Sequence, residues 1–571
     1  MINEKLSDKE KLAQLRHSAA HLLAHAVSEL YPKTKLTIGP ATEEGFFYDF
    51  LPEQNFKEED LPLLEARMHE ISKRNLPLIH KQVPKAEARK LYKDNQFKLE
   101  LIDKIPDDTV GIATQGEFND LCRGGHVETT GMIQHFKLLT ISGAYWRADR
   151  SGQTLQRITG TACWTDKDLA AYLKRREELE MYDHRRLGKQ LDLFSFHDEG
   201  VGFPFFHPKG KSVVNTMVDW MRKLRAENGY YEVSTPTMLN EKLWHQSGHW
   251  AFYKDNMYFS VIDETTYALK PMNCPGSFLI YKTRPHSYRE LPLRFGEFGH
   301  VHRHELSGAL HGLIRVRAFT QDDVHIYCTP DQIESQVVMI IEMIKKTYTK
   351  FGFESFQFAV STKPEKAMGS DELWEKATNA LKKTIENANV TYVIQEGEGA
   401  FYGPKIDVNI QDSMGRNWQC GTIQVDFFQP ENFDLTYVAA SGAKERPVVI
   451  HSAVFGSLER FFAIVLEHHK GALPFWLAPV QATVLTITDA QKEYGQKLVD
   501  KLKEQGIRVI MDESSDPISG KIKSAQMEKI PWMLVVGNKE AEANTITLRY
   551  LNGKQEFGLT LDGLIKKAQE A

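Results

Sequence analysis

The stretch HSAAHLLAH, from His17 to His25, sets three histidines four residues apart. On a helix that spacing stacks them on one face. About a hundred residues later, DLCRGGH supplies Cys122 and His126 as a CxxxH pair. Taken together, His21, His25, Cys122 and His126 fit two chemistries. They could hold zinc as a Cys-His₃ set. They could instead position a water and an ester for hydrolysis, with imidazole as acid–base or hydrogen-bonding partner. His17 reads as an ordinary polar residue of the same helix.

A second concentration lies in RFGEFGHVHRHELSGALHGLIRVRAFTQDD, residues 294–323, which gathers Arg303, Glu305, Arg315 and Arg317 around a turn containing Gly and Ser. The planar guanidinium fork suits phosphate and carboxylate oxygens. The segment is therefore either a clamp for a triphosphate or a solvated basic hairpin; the chain has no Walker loop and no dinucleotide fingerprint to decide it. Further on, GSLERF at 456–461 puts Arg460 on a helix expected after small residues, within reach of another phosphate.

These groups sit in a chain of 571 residues with 42% hydrophobic and 26% charged residues, the balance of a folded globular protein of several domains. The net charge of −5 excludes a globally basic nucleic-acid binder, so any such surface must be local. Five cysteines, odd in number and far apart, argue for a reducing compartment rather than a disulfide framework. The start, MINEKLSDKEKL, lacks the apolar core of a signal peptide, and no run of 18 apolar residues occurs, so the expected location is the cytoplasm, with no membrane partner.

The elements that must position the groups follow from periodicity and punctuation. Residues 10–30 read as an amphipathic helix, leading into an α+β unit over 1–164. TDKD at 165–168 is a capping box, with Thr165 as N-cap and Asp168 at N3. It opens a helix charged nearly all round, a connector over 165–188. Strand-like runs such as YYEVSTP, RVRAFTQDDVHIYC, KIDVNIQD and WQCGTIQVDFF predict an antiparallel sheet with helices over 189–475, including adjacent strands joined by a turn at Met414-Gly415. Over 476–571, TVLTIT, a helix at 490–505 ended by Gly506, IRVIMD, a helix near 517–529 and WMLVVG alternate as βαβαβ, an α/β domain with a largely parallel sheet. Residues 481–571 carry 13 Lys/Arg and 13 Asp/Glu, so charge gives that domain no independent sign of RNA binding.

Read in order, GYYEVSTPTM, HRHE at 302–305 and GSLERF resemble the three motifs of class II aminoacyl-tRNA synthetases. KPMNCPGS at 270–277, TQDDVHIYC at 320–328, AFYGPKIDV at 400–408 and WQCGTIQVDF at 418–427 are similar to threonyl-tRNA synthetases, over almost the whole chain from about residue 12. The resemblance implies an editing domain, a class II catalytic domain and an anticodon-binding domain in a homodimer. The activity implied is formation of threonyl-adenylate from ATP, with Mg²⁺, and L-threonine, then transfer to tRNA(Thr). It implies one zinc per subunit on Cys274, His325 and His451, which lie 51 and 126 residues apart and which no local spacing rule would select. It assigns Arg303, Glu305, Arg315, Phe319 and Arg460 to ATP, and Met272, Gln321, Asp323, Tyr402 and Lys405 to threonine. His249 would assist transfer, and Glu540 and Arg549 would contact the anticodon.

The implied zinc pocket bears on the opening histidines. A site built around a hydroxyl rejects valine by roughly 10⁴-fold or more, but the methyl that separates serine from threonine is worth only ~1–3 kcal/mol. A second, hydrolytic site is then required, and the family places it in the N-terminal unit. Hydrolysis without a tightly held metal is the reading adopted for His21, His25, Cys122 and His126, with Lys98 and Asp120 as further pocket members. The chain departs from the family at Ser277 and Ser452, where His and Arg are usual, at Gly125, where Pro is usual, and at Ser515 and Lys523, where Asn and Arg are usual. A small ubiquitin-like N-terminal domain found in many relatives is not expected here, because HSAAH begins at residue 17.

Overall fold

The computed structural model describes residues 6–149, 152–388 and 390–571. They divide into two compact units, Met1–Glu178 and Leu179–Ala571.

The first unit is built around helix α1, Asp8–Leu30. It opens on a capping box: Ser7 Oγ accepts from the Glu10 N–H, and the Glu10 carboxylate accepts from the Ser7 N–H at 2.7 Å. The sequence predicts one apolar face. Instead every residue from Ser18 to Val27 is buried. The reason is that α1 is enclosed. Leu15, Leu22 and Leu23 pack with Phe46, Phe50 and Ile158 of a four-stranded antiparallel sheet, ordered 35–36, 46–51, 154–163, 135–145. The histidine stripe meets β1, Thr109–Gln115, and β2, Phe118–Leu121, which form a second antiparallel sheet with Leu78–Pro84.

Thr165 Oγ1 accepts from the Asp168 N–H at 3.1 Å, as the capping box requires, and starts α2, Asp166–Met181, which has no buried residue. The connector does not run on to Gly188. Asp183 caps a new helix, α3, His184–Gln190, by accepting from the Arg185 N–H at 2.8 Å, and His184 and Leu187 are buried in the second unit. Charge density hid this break, because Leu187 is the one large apolar residue that α3 buries.

The second unit carries an eight-stranded sheet. Its central strands are β3, Leu293–His302; β4, Ala318–Cys328; β5, Lys405–Gln411; β6, Asn417–Asp426; and β7, Val448–Ala453. The spatial order is 231–232, β3, β4, β7, β6, β5, 356–361, 392–395. The central pairings are antiparallel and both edge strands are parallel to their neighbours. The turn between β5 and β6 has Gly415 at φ +75°, a backbone that favours glycine. Helix α4, Pro208–Glu227, lays Val213, Met217 and Met221 on the sheet beside Val324 and Ile326. Helix α5, Cys274–Tyr281, packs Phe278 and Tyr281 on the other face with Tyr327.

One buried carboxylate locks the sheet to the helix that follows it. Asp322, in β4, accepts from the backbone N–H groups of Val454, Phe455 and Gly456 at 2.9–3.1 Å. Those residues leave β7 and lead into α6, Leu458–His468, whose N-cap Ser457 accepts from the Arg460 N–H.

The C-terminal sheet has the order 509–512, 482–486, 532–536, 546–550, 555–559. The first three strands are parallel, as read from the alternation; the last two are antiparallel, so the sheet is mixed. Among the described residues no helix is long and apolar enough to cross a membrane.

Removing the side chain of Asp322 would orphan the N–H groups of Val454 and Phe455, which are buried, and of Gly456, which is half-buried. Asp322→Ala is expected to destabilise the second unit by about 3–5 kcal/mol, measured as a lower urea midpoint. An unchanged midpoint would contradict the role given to this carboxylate.

Candidate active sites

Antiparallel register builds the first site. His325 of β4 lies directly opposite His451 of β7, His451 opposite Gln424 of β6, and Gln424 opposite Lys405 of β5. Because alternate residues of a strand share a face, Gln321 and Asp323 lie on the same face as His325. Cys274, the first residue of α5, completes a set in which one donor atom each from Cys274, His325 and His451 lies within 4.8 Å of the others. All three are buried.

The donor set fits a metal ion. Nε2 of His325 is buried with no hydrogen-bond partner. Burial pushes the Cys274 thiol up, and the Asp323 and Asp426 carboxylates add to the push, so a thiolate there needs a cation beside it. His451 Nε2 donates to Asp426 Oδ2 at 2.8 Å, the carboxylate support that metal-binding histidines commonly carry. Asn273 Nδ2 donates to Asp323 Oδ2 at 3.0 Å and lies 3.4 Å from Gln321 Oε1. The Tyr402 hydroxyl bonds Gln424, and its ring lies 5.2 Å from that of His451. Lys405 pairs with Asp407 at 2.8 Å. Met272, Gln321, Asp323, Tyr402 and Lys405 thus surround or adjoin the Cys–His–His set.

The arginines stand beside it. The Arg303 guanidinium lies 5.0 Å from the Phe319 ring and 5.6 Å from that of Tyr253, and its Nε donates to Pro271 O at 3.2 Å. Arg315 pairs with Glu305 at 3.3 Å. Arg460 donates to Gln419 O and Ile314 O, both at 3.3 Å, and faces Trp418. These bonds are to neutral carbonyls or rings, so Arg303 and Arg460 keep their charge for a ligand.

His249, expected to assist transfer, opens the short helix 249–253. It is fully buried, with Nδ1 2.7 Å from Ser247 Oγ and Nε2 2.9 Å from Met272 Sδ, and the Phe401 ring closes over it. Burial and the nearby Arg303 charge lower its pKa to about 3, so the ring is neutral and holds Met272.

The second site lies in the first unit, and here the structure changes the expected membership. His17, His21, Cys122 and His126 have donor atoms within 4.8 Å of one another. His25 is not among them. One helical turn further on, it accepts from Gln115 Nε2 at 3.0 Å, lies 3.2 Å from Glu29 and stacks on Phe118. His17, read as an ordinary helix residue, bonds Cys122 Sγ through Nε2 at 3.0 Å. His126 Nε2 is 3.2 Å from the same sulfur, and the Gly124 N–H donates to it at 3.3 Å.

Behind the cluster, Lys98 Nζ bonds Asp120, the Tyr48 hydroxyl donates to Asp120 at 2.7 Å, and Asp120 lies 3.1 Å from His21 Nδ1. That last approach is an ion pair without hydrogen-bond alignment, since neither nitrogen of His21 has an aligned partner. Burial opposes charge on His21, but Asp120 and Cys122 outweigh it and raise its pKa to about 9. Burial likewise opposes the Cys122 thiolate; His126, His17 and His21 overcome it and lower that pKa to about 3. Burial keeps His126 below the usual histidine range. The site thus sets a cationic imidazole, a thiolate and a neutral imidazole side by side.

Comparison with known proteins fits both sites. Residues 258–469 match the tRNA synthetase class II core domain (G, H, P, S and T), residues 481–571 an anticodon binding domain, and residues 110–159 the threonyl and alanyl tRNA synthetase second additional domain. The threonine–tRNA ligase of Clostridium tetani is 53% identical over 95% of this chain and 85% of its own length. That of Carboxydothermus hydrogenoformans is 50% identical over 99% of this chain and 90% of its own. The chain belongs to the threonyl-tRNA synthetase family. The solved RNA-binding domain of threonyl-tRNA synthetase from Cryptosporidium parvum aligns with a TM-score of 0.66 at 42% identity, covering 68% of this chain and 98% of that one.

The positions expected to depart from the family have definite structural settings. Ser277 Oγ bonds the Tyr327 hydroxyl at 2.7 Å in the core behind Cys274. Ser452 is buried next to His451, and adjacent strand residues face opposite ways. Gly125 has φ +84°, which proline cannot adopt. Glu540 accepts from the Gly537 N–H and the Thr547 hydroxyl, while Arg549 Nε is buried without a partner; Ser515 and Lys523 are exposed. The sequence left Asn273, Gln424 and Asp426 unremarked. Their one signal was their place inside the quoted motifs beside the metal-type residues.

The electrostatics make a test of thiol reactivity. Iodoacetamide at pH 6 should label Cys122, which is partly exposed, and spare Cys163, Cys274, Cys328 and Cys420, which are buried with thiols pushed up. Peptide mass spectrometry reads the outcome; labelling of Cys122 only above pH 8 would contradict the thiolate.

Proposed function

We propose that the protein activates L-threonine with ATP, transfers it to tRNA(Thr), and hydrolyses seryl-tRNA(Thr) in its N-terminal unit. The observation that carries the synthetic half is the convergence of Cys274, from α5, with His325 and His451 of the sheet, next to Arg303, which bonds Pro271 O three residues before Cys274.

In this reading Arg303 and Arg460 hold the nucleotide phosphates, Phe319 offers a ring for adenine, and Glu305 and Arg315 line the same loop, with Mg²⁺ entering with ATP. The threonine carboxylate attacks the α-phosphorus and pyrophosphate leaves; the arginines stabilise charge gathering on the phosphate oxygens. Asp323, fixed by Asn273, faces the substrate ammonium; Gln321, Tyr402, Met272 and Lys405 shape the pocket. Cys274, His325 and His451 would hold one zinc, which would supply a Lewis acid beside the threonine pocket. The protein works as a homodimer, which agrees with the exposed Tyr231 on the sheet's edge strand. The C-terminal domain reads the anticodon, with Glu540 and Arg549 as its contacts.

The editing half rests on the His17–His21–Cys122–His126 cluster. A pocket that recognises a hydroxyl discriminates against serine by one methyl, ~1–3 kcal/mol, so hydrolysis must finish the selection. Water attacks the seryl ester carbonyl; the acyl–oxygen bond breaks and the proton passes to the leaving ribose oxygen. Neutral His126 takes the water proton, His17 and Cys122 orient the water, and cationic His21, backed by Asp120 and Lys98, stabilises the carbonyl oxygen.

Two experiments test this. Threonine-dependent pyrophosphate exchange should fall about 10²–10³-fold in Arg303→Ala with an unchanged circular dichroism spectrum; near-normal exchange would reject the synthetic reading. Deacylation of preformed seryl-tRNA should be lost in His17→Ala and His21→Ala and largely kept in His25→Ala. If His25→Ala is as defective as His17→Ala, the membership drawn from the structure is wrong.

A further inference from the structure

His184 is completely buried and belongs to no part of the chemistry above. It opens α3, at the end of a segment that reads in sequence as a charged connector. Its ring is nevertheless held on both sides. Nδ1 lies 2.6 Å from Glu467 Oε1, and the His184 backbone N–H donates to the same oxygen at 2.8 Å. Nε2 accepts from the backbone N–H of Leu313 at 3.0 Å. An imidazole nitrogen that accepts carries no proton, so the proton is on Nδ1, facing Glu467. Glu467 is itself bonded by Arg416, which Asp412 holds at 2.7 Å.

Leu313 sits in the loop 303–317, between β3 and β4, which carries Arg303, Glu305 and Arg315. Its returning limb is folded tightly: the His311 N–H donates to Arg315 O at 3.1 Å, and the Ile314 N–H to His311 O at 3.0 Å. Gly312 lies against the imidazole, with φ +48°; a Cβ there would stand 2.1 Å from His184 Nε2. Arg460 bonds the next carbonyl, Ile314 O. Helix α6 therefore grips this limb twice. Near its start Arg460 holds Ile314 O directly. Two turns later, Glu467 holds the Leu313 N–H through His184.

We propose that His184 is a positioning residue for the nucleotide: it fixes the 312–315 limb against α6 so that Arg315, Glu305 and Arg460 present one geometry to ATP. The inference rests on the assignment of this loop to ATP. Threonine lies outside its reach, because the pocket assigned to it is built on β4 to β7 and α5.

Pyrophosphate-exchange kinetics with the full chain separate positioning from mere packing. His184→Ala orphans the buried Leu313 N–H and frees the limb. The KM for ATP should rise about three- to tenfold, the worth of one hydrogen bond, while the KM for threonine stays within about twofold. His184→Gln, whose amide oxygen can accept from Leu313, should recover most of the loss. Gly312→Ala leaves the His184–Glu467 pair intact and pushes the limb off the ring. It should raise the ATP KM in the same selective way, and it serves if His184→Ala fails to fold. Equal rises in both KM values, an unchanged ATP KM in Gly312→Ala, or no rescue by glutamine would overturn the proposal. Wild type without threonine-dependent exchange would overturn the functional reading and this inference with it.

Discussion

The register between β4 and β7 is the constraint on which the Cys274–His325–His451 site depends. It puts His325 opposite His451, and on the same face it lines up Gln321 and Asp323. A slip of one residue would turn that whole set to the opposite face. Asp322 guards against such a slip: its carboxylate takes three successive N–H groups just beyond β7, a pattern available in one register only. The same bonds fix the start of α6, and hence Arg460. One buried acid thus ties the strand of His325 to the start of the helix that carries Arg460. Its charge is expensive to bury, and burial raises its pKa to about 6. The N–H groups of residues 454–456 and the nearby Arg225 guanidinium compensate.

The N-terminal unit solves a related problem with a chain of buried charges. Lys98, Asp120, His21 and Cys122 alternate in sign, so each ion has a neighbour of opposite charge. Breaking such a chain leaves an uncompensated charge. The thiolate at its end is the one member that is partly exposed. This order, from a sealed lysine to an accessible sulfur, orients the polarity of the pocket toward whatever enters it.

Much of this was legible in the sequence, for definable reasons. The β5–β6 hairpin, the β3–β4 pair and the C-terminal alternation follow from strand-length apolar runs punctuated by glycine. The residues of the synthetic site were reached through motif resemblance, because ligands 51 and 126 residues apart obey no local period. The overlap of two HxxxH pairs in HSAAHLLAH was not decidable from spacing alone. His17/His21 and His21/His25 are equivalent on an isolated helix, and only the position of β2, which carries Asp120 and leads to Cys122, selects the first. His184 was hidden for a different reason. A histidine in a run of lysine, arginine and glutamate looks solvated until the core that receives it is known.

X-ray absorption at the zinc edge, on wild type and on Cys274→Ser and Cys122→Ser variants, tests the account most directly. It predicts one sulfur and two imidazole nitrogens from the protein around zinc in wild type, with the sulfur lost in Cys274→Ser and retained in Cys122→Ser. A sulfur that survives Cys274→Ser and disappears in Cys122→Ser would place the metal in the N-terminal cluster and contradict the account.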